Sequence, residues 1–216
     1  NLPISAVQRS VSALQEFTNS TASLATVDMP TSSWSSPLPS HKGPVIVSYS
    51  FLESSELPSK WSGAFSVSAY WAFSEEQRGN FRKALAAFSA VSGVVFVETS
   101  GSAMIEAYGA SGSNYGGWAN FPDSTSEANG DVDLVIDGTG RFTPGSYEFF
   151  ASMHEIGHAV GLKHPFEGSI QLTDAMDSTR NTVMSYTQDN TPTSLAHLDI
   201  FFFNYIYCRE INTAGW

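Results

Sequence analysis

The run Val45-Ile46-Val47-Ser48-Tyr49-Ser50-Phe51 is rich in β-branched and aromatic residues and predicts a strand. Ser74, with Gln77 three residues on, forms a capping box, and Phe81, Leu85 and Phe88 give the helix it opens an apolar face. Val94 to Val97 and Met104 to Tyr108 read as two further strands, Gly112 to Gly117 as a loop, and Asp131 to Ile136 as another strand. A helix is expected over about residues 145–160. Residues 162–193 carry no long periodic element, and Ser194 to Tyr207 reads as a last helix rich in Leu, Ile and Phe. This order of elements predicts an α+β (α/β-like) domain with a mixed sheet.

The first forty residues differ in texture. Val7, Val11, Leu14 and Phe17 recur at helical spacing, and the Ser- and Pro-rich stretch Thr31 to Ser40 reads as a linker. The expected division is an N-terminal arm, 1–43, and a catalytic unit, 44–216. The arm is read either as a tether or as a prosegment covering an active site. Asn1-Leu2-Pro3-Ile4 has neither an initiator Met nor the features of a signal peptide, and reads as a processed start.

Composition narrows the function. In 216 residues, 10 Lys+Arg against 21 Asp+Glu give a net charge of −11, which disfavours nucleic acid and anionic membrane surfaces as partners. No apolar run is long enough to span a bilayer, since Asn204 interrupts the run at Phe201 to Phe203. Cys208, the single cysteine, can form no internal disulfide and reads as a small buried hydrophobe.

One segment concentrates the chemistry: His154-Glu155-Ile156-Gly157-His158-Ala159-Val160-Gly161-Leu162-Lys163-His164. His154 and His158, at i and i+4, share a helix face and can chelate one ion. Glu155 lies beside that pair, within reach of a metal-bound water. Gly161 can take a left-handed backbone, end the helix and bring His164 round as a third ligand. Three imidazoles with an open position describe a catalytic zinc, whereas structural sites are closed by four ligands. Three of the five histidines fall in these eleven residues, which a chance packing of histidines does not explain.

The segment H-E-x-x-H-x-x-G-x-x-H resembles the metzincin zinc-peptidase signature, and Asn181-Thr182-Val183-Met184-Ser185-Tyr186 resembles the Met-turn of that clan. Pro165 after the third histidine and Tyr186 two residues after Met184 resemble the serralysin family of secreted bacterial proteases. Softer likenesses are Val47 to Phe51 for a first strand and Leu198-Asp199-Ile200 with Ile206-Tyr207 for a closing helix. The resemblance implies a mostly parallel twisted sheet, an active-site helix, a Met-turn and a C-terminal helix. It implies zinc held by His154, His158 and His164, with Tyr186 as a further, displaceable ligand that swings to the tetrahedral intermediate. Glu155 would act as general base and then acid on the attacking water, and Met184 would floor the imidazoles. An extended protein or peptide substrate would pair with backbone groups of Trp118 and Ala119 on an edge strand.

The implied protein is a secreted, zinc-dependent endopeptidase, monomeric or part of a longer chain. Serralysins continue into calcium-binding repeats that this chain lacks, so it reads as a catalytic fragment or a minimal member. Two other readings stay open: a zinc-stabilised binding module with vestigial activity, and a self-processing protease of a larger secreted protein. Asp131, Asp133 and Asp137 invite a calcium reading, but their spacing does not fit an EF-hand loop and leaves calcium unsupported. His197 reads as a packed or surface histidine rather than a ligand.

Overall fold

The computed structural model describes residues 45–58, 67–91, 93–122, 132–168 and 171–207. The expected arm at 1–43, Asp131 and Cys208 lie outside the described residues. Nine elements follow in chain order: β1 (Val45–Phe51), β2 (Ala69–Trp71), α1 (Glu75–Ser89), β3 (Val94–Glu98), β4 (Ile105–Ser111), β5 (Gly117–Ala119), β6 (Val132–Asp137), α2 (Tyr147–Ala159) and α3 (His197–Ile206). The sequence reading therefore finds each long element and misses β2. It also takes Gly117 as loop, where β5 begins. Three-residue strands carry too little periodicity to be read from pattern: β2 exists through its partner, and the edge strand at Trp118 and Ala119 is expected only from the resemblance.

The strands form one sheet in the order β3-β1-β4-β6-β5. β1 runs parallel to β3 and β4, and β4 runs parallel to β6. β2 and β5 are antiparallel to β4 and β6 respectively. β1 pairs with the first half of β4 (Tyr49 opposite Ile105), and β2 takes over beside its second half (Trp71 opposite Gly109). The sheet is mixed and mostly parallel, as expected.

Period-two alternation divides the core. Val47, Tyr49, Phe51, Ile105, Ala107, Leu134 and Ile136 face the helices and pack with Phe81, Leu85 and Phe88 of α1 and Met153 and Ile156 of α2. Tyr108, Ala110, Trp118 and Val135 form a smaller cluster with Leu52. Burial of such side chains is worth about 1.5–3 kcal/mol each before entropy is charged against it.

Local chemistry sets α2 in place. Ser74 caps α1 through the Gln77 N–H, while the Gln77 side chain returns to the Ser74 N–H, completing the box. Gln77 Nε2 then donates to the Gly140 carbonyl and Asn80 Nδ2 to that of Arg141, each at 2.8 Å. These two bonds anchor the segment that leads into α2. Ser146 caps α2 by accepting from the Phe149 N–H at 3.2 Å. α2 is buried from Phe149 to Ala159, so it can present functional groups only where the sheet leaves a cleft. No helix among the described residues is long and apolar enough to cross a membrane.

Candidate active site

The C-terminus of α2 builds the centre. Gly161 has φ 102°, a left-handed conformation that favours glycine. Its N–H donates to His158 C=O and the Leu162 N–H to Gly157 C=O, both at 2.9 Å, which is the Schellman pattern. The reversal returns His164 to the face of His154 and His158. The Nε2 atoms of His154 and His158 each lie 3.1 Å from His164 Nε2. The three potential ligand atoms all fall within 4.8 Å of one another, and no other His/Cys/Asp/Glu group of that kind occurs among the described residues.

The outer nitrogens fix the tautomers. His154 Nδ1 donates to Val183 C=O at 2.8 Å and His158 Nδ1 to Leu162 C=O at 2.7 Å. A carbonyl can only accept, so both Nδ1 atoms carry the proton and both Nε2 lone pairs face inward. His164 Nδ1 lies 2.9 Å from Glu167 Oε1. Burial, with the charge of His164 as a second cause, pushes His154 down to about 4. Burial and the two neighbouring imidazoles push His158 well below its usual value. The neutral, metal-ready form is thus the stable one.

Glu155 is buried beside this cluster, and its Oε2 has no hydrogen-bond partner among the described residues. Desolvation pushes its carboxyl up to about 8. Convergent lone pairs next to an unsatisfied buried carboxylate fit a cation with a polarised water, and they fit a close-packed apolar core poorly. Zinc suits this all-imidazole donor set.

Two glycines let neighbouring elements come close. A Cβ on Gly117 of β5 would stand 2.9 Å from Glu155 Cγ and 2.5 Å from Val135 O. A Cβ on Gly157 would collide with Met184 Sδ, so the fully buried Met184 rests on the helix directly under the motif. The Tyr186 ring packs on those of His154 (5.6 Å between centroids) and His164 (4.5 Å). Desolvation, then the charge of Glu155, pushes its hydroxyl up to about 12.

The structure brings His154, His158, His164, Glu155, Met184 and Tyr186 together. Trp118 and Ala119 both lie on β5, whose register decides which backbone groups point away from β6. Asn120 N–H donates to Asp133 C=O, and Asp137 N–H to Gly116 C=O. By antiparallel alternation the backbone of Trp118, opposite Val135, therefore faces β6. Gly117 and Ala119 turn their groups to the edge that no described strand covers, and the Trp118 side chain packs into the smaller cluster. Asp133 and Asp137 serve separate bonds, from the Tyr108 hydroxyl and the Ser113 N–H, and add nothing to a calcium reading. His197 is exposed at the start of α3, away from the cluster.

Residue-by-residue reading missed the supports. Asp199 on α3 is fully buried and accepts from Thr182 Oγ1 (2.7 Å), the Val183 N–H (3.0 Å) and the Ala196 N–H (2.8 Å). It thereby holds Val183, the residue whose carbonyl orients His154. An acid inside the apolar run Leu198 to Phe201 was the available signal. Tyr207 closes the far side, its hydroxyl donating to Val160 C=O at 2.7 Å.

Fold and site together define a metzincin-like metallopeptidase domain. Residues 103–213, just over half of the chain, match the peptidase M43 family, described as pregnancy-associated plasma protein-A, and the chain belongs to that family. A solved structure of myroilysin is similar in fold, with a TM-score of 0.50 at 12% identity over 79% of this chain and 96% of that one. No curated protein matches the chain's sequence.

Proposed function

We propose that the chain is a zinc-dependent endopeptidase, with His154, His158 and His164 holding the ion and Tyr186 beside it as a displaceable ligand. The observation that carries this is the convergence of three Nε2 atoms beside the buried Glu155, whose Oε2 has no partner among the described residues. Zinc bound there would activate a water and polarise the scissile carbonyl. Glu155 takes the proton of the attacking water and passes it to the leaving amine. Met184 supports the imidazoles from below. An extended substrate adds to the free edge of β5 through the backbones of Gly117 and Ala119. Tyr186, whose hydroxyl is protonated at neutral pH, donates to the oxygen on which charge develops.

Pro165 and Tyr186 give the site a serralysin-like cast, which belongs to this reading and not to the family match. Secretion and protein substrates belong to it as well. The test is Glu155→Gln on denatured casein. Zinc content should stay near one per chain, since no ligand is touched, while turnover falls by about 10²–10⁴-fold. Undiminished turnover in that variant would overturn the assignment.

A further inference from the structure

This inference rests on the peptidase reading, and within it on Tyr186 as the donor to the oxygen that gains charge. The Tyr186 side chain is largely outside the core: the residue is 61% exposed, and its ring meets the rings of His154, His164 and Phe166, the last at 5.0 Å between centroids. Such face and edge contacts allow a ring to slide, so the place of the hydroxyl depends on how firmly the backbone holds the Cα that carries it. A catalytic group has to be kept within about 0.5 Å and 10–20° of its working geometry, by neighbours that are themselves fixed.

The backbone is pinned on both sides of Tyr186. Ser185 is fully buried, and its Oγ accepts from the Thr187 N–H at 3.0 Å, a bond that spans Tyr186. The Thr187 carbonyl in turn accepts from the Thr179 N–H at 2.9 Å. The Ser185 hydroxyl has one proton, and it donates it to Asp177 Oδ1. A carboxylate oxygen only accepts, so this bond commits the proton to Asp177 and leaves an Oγ lone pair for Thr187. With Asp177 truncated, the hydroxyl is able to rotate and the bond across Tyr186 loses its fixed acceptor.

Asp177 is well placed for this task. Its N–H donates to the Thr173 carbonyl at 3.0 Å, and Asn181 Nδ2 donates to the Met176 carbonyl at 2.9 Å, which ties the turn before Asp177 to the segment leading into Met184. After desolvation, the largest effects on the Tyr186 hydroxyl are the charges of Glu155 and Glu167. Asp177 therefore bears on Tyr186 through the frame and not through its field.

We propose that Asp177 is a positioning residue: through the Ser185 hydroxyl it fixes the backbone at Tyr186 and so sets where the phenol meets the developing charge. The experiment is a double-mutant cycle of Asp177→Ala and Tyr186→Phe in the zinc-loaded chain, with kcat and KM on a fluorogenic peptide and the zinc content of each sample. Asp177→Ala should lower kcat about tenfold with little change in KM, and should change it by no more than about twofold once Tyr186 is Phe. Asp177→Asn keeps an acceptor oxygen for Ser185 and should keep most of kcat. Should Asp177→Ala fail to fold, Ser185→Ala removes only the bridging oxygen and runs the same cycle with the same expectation. In parallel, NMR of the zinc-loaded chain with ring-labelled tyrosine follows Tyr186 without substrate, its signal assigned by Tyr186→Phe. Asp177→Ala should shift or broaden that signal and leave those of Tyr49 and Tyr108 in place. An equal loss of kcat in both backgrounds, a loss in Asp177→Asn as large as in Asp177→Ala, a change in KM alone, or an unmoved Tyr186 signal would each overturn the inference and leave the peptidase standing. Wild-type turnover in Tyr186→Phe would overturn the role of Tyr186, and no cleavage by the zinc-loaded wild type would overturn the peptidase reading, the inference falling with either.

Discussion

Gly117→Ala tests whether β5 positions the catalytic carboxylate. The added methyl would stand 2.5 Å from the Val135 carbonyl oxygen and 2.9 Å from Glu155 Cγ, where ordinary contact starts near 3.4 Å. About 0.9 Å of movement is needed on one side and about 0.5 Å on the other. Val135 sits in β6, held between β4 and β5, so that carbonyl has little freedom. The strain is therefore relieved by moving the β5 edge, the Glu155 side chain, or both. Overpacking of this kind costs about 1–3 kcal/mol of stability. A displacement approaching 1 Å at a catalytic group can cost about 10²-fold in rate. The three imidazoles are not touched, so zinc content should stay near that of the wild type. The assay is kcat/KM on a fluorogenic peptide with the metal content and Tm of the same sample. Gly79→Ala is the control: a Cβ there meets nothing within 4 Å, and the helix interior should gain up to about 1 kcal/mol with activity unchanged. Wild-type kcat/KM in Gly117→Ala would refute the claim that β5 sets the place of Glu155. Loss of zinc would show that the substitution acts on the metal centre instead.

Other outcomes follow from the supports. Burial raises the Asp199 carboxyl from 3.8 to about 6, so its ionisation costs native stability as pH rises through that window. In the zinc-free chain, Asp199→Asn should therefore gain about 2 kcal/mol on the wild type between pH 4 and pH 6, measured by urea unfolding, and a constant difference would contradict this. His154 has the opposite sign: lowered from 6.5 to about 4, it contributes stability that is present above 6.5 and lost as pH falls toward 4. Gly157→Ala drives a methyl into Met184 Sδ, so zinc should bind more weakly in competition with a chelator, and unchanged affinity would show that Met184 does not support the imidazoles.

The parts of the fold legible in the sequence are those where one period repeats over several turns or strand residues. α1 announces itself through Ser74, Gln77 and the Phe81-Leu85-Phe88 stripe, and β1 through its β-branched and aromatic run. β2 was illegible because three residues, Ala69 to Trp71, specify nothing without β4 beside them. The metal cluster was legible because local geometry carries it: two histidines one turn apart and a glycine that reverses the chain. What orients that cluster was not, since the Val183 carbonyl and Asp199 reach His154 across gaps of 29 and 45 positions in the chain. Which backbone groups around Trp118 face outward was not legible either, because that depends on pairing register, and a one-residue shift reverses it.

The most direct test of the account is the zinc-edge X-ray absorption spectrum of the purified chain, with its metal stoichiometry. One zinc per chain is expected, bound by three imidazole nitrogens and at least one exchangeable oxygen, with one imidazole lost in His164→Ala. Absence of stoichiometric zinc, a sulfur or fourth imidazole in the shell, or an unchanged spectrum in His164→Ala would contradict it.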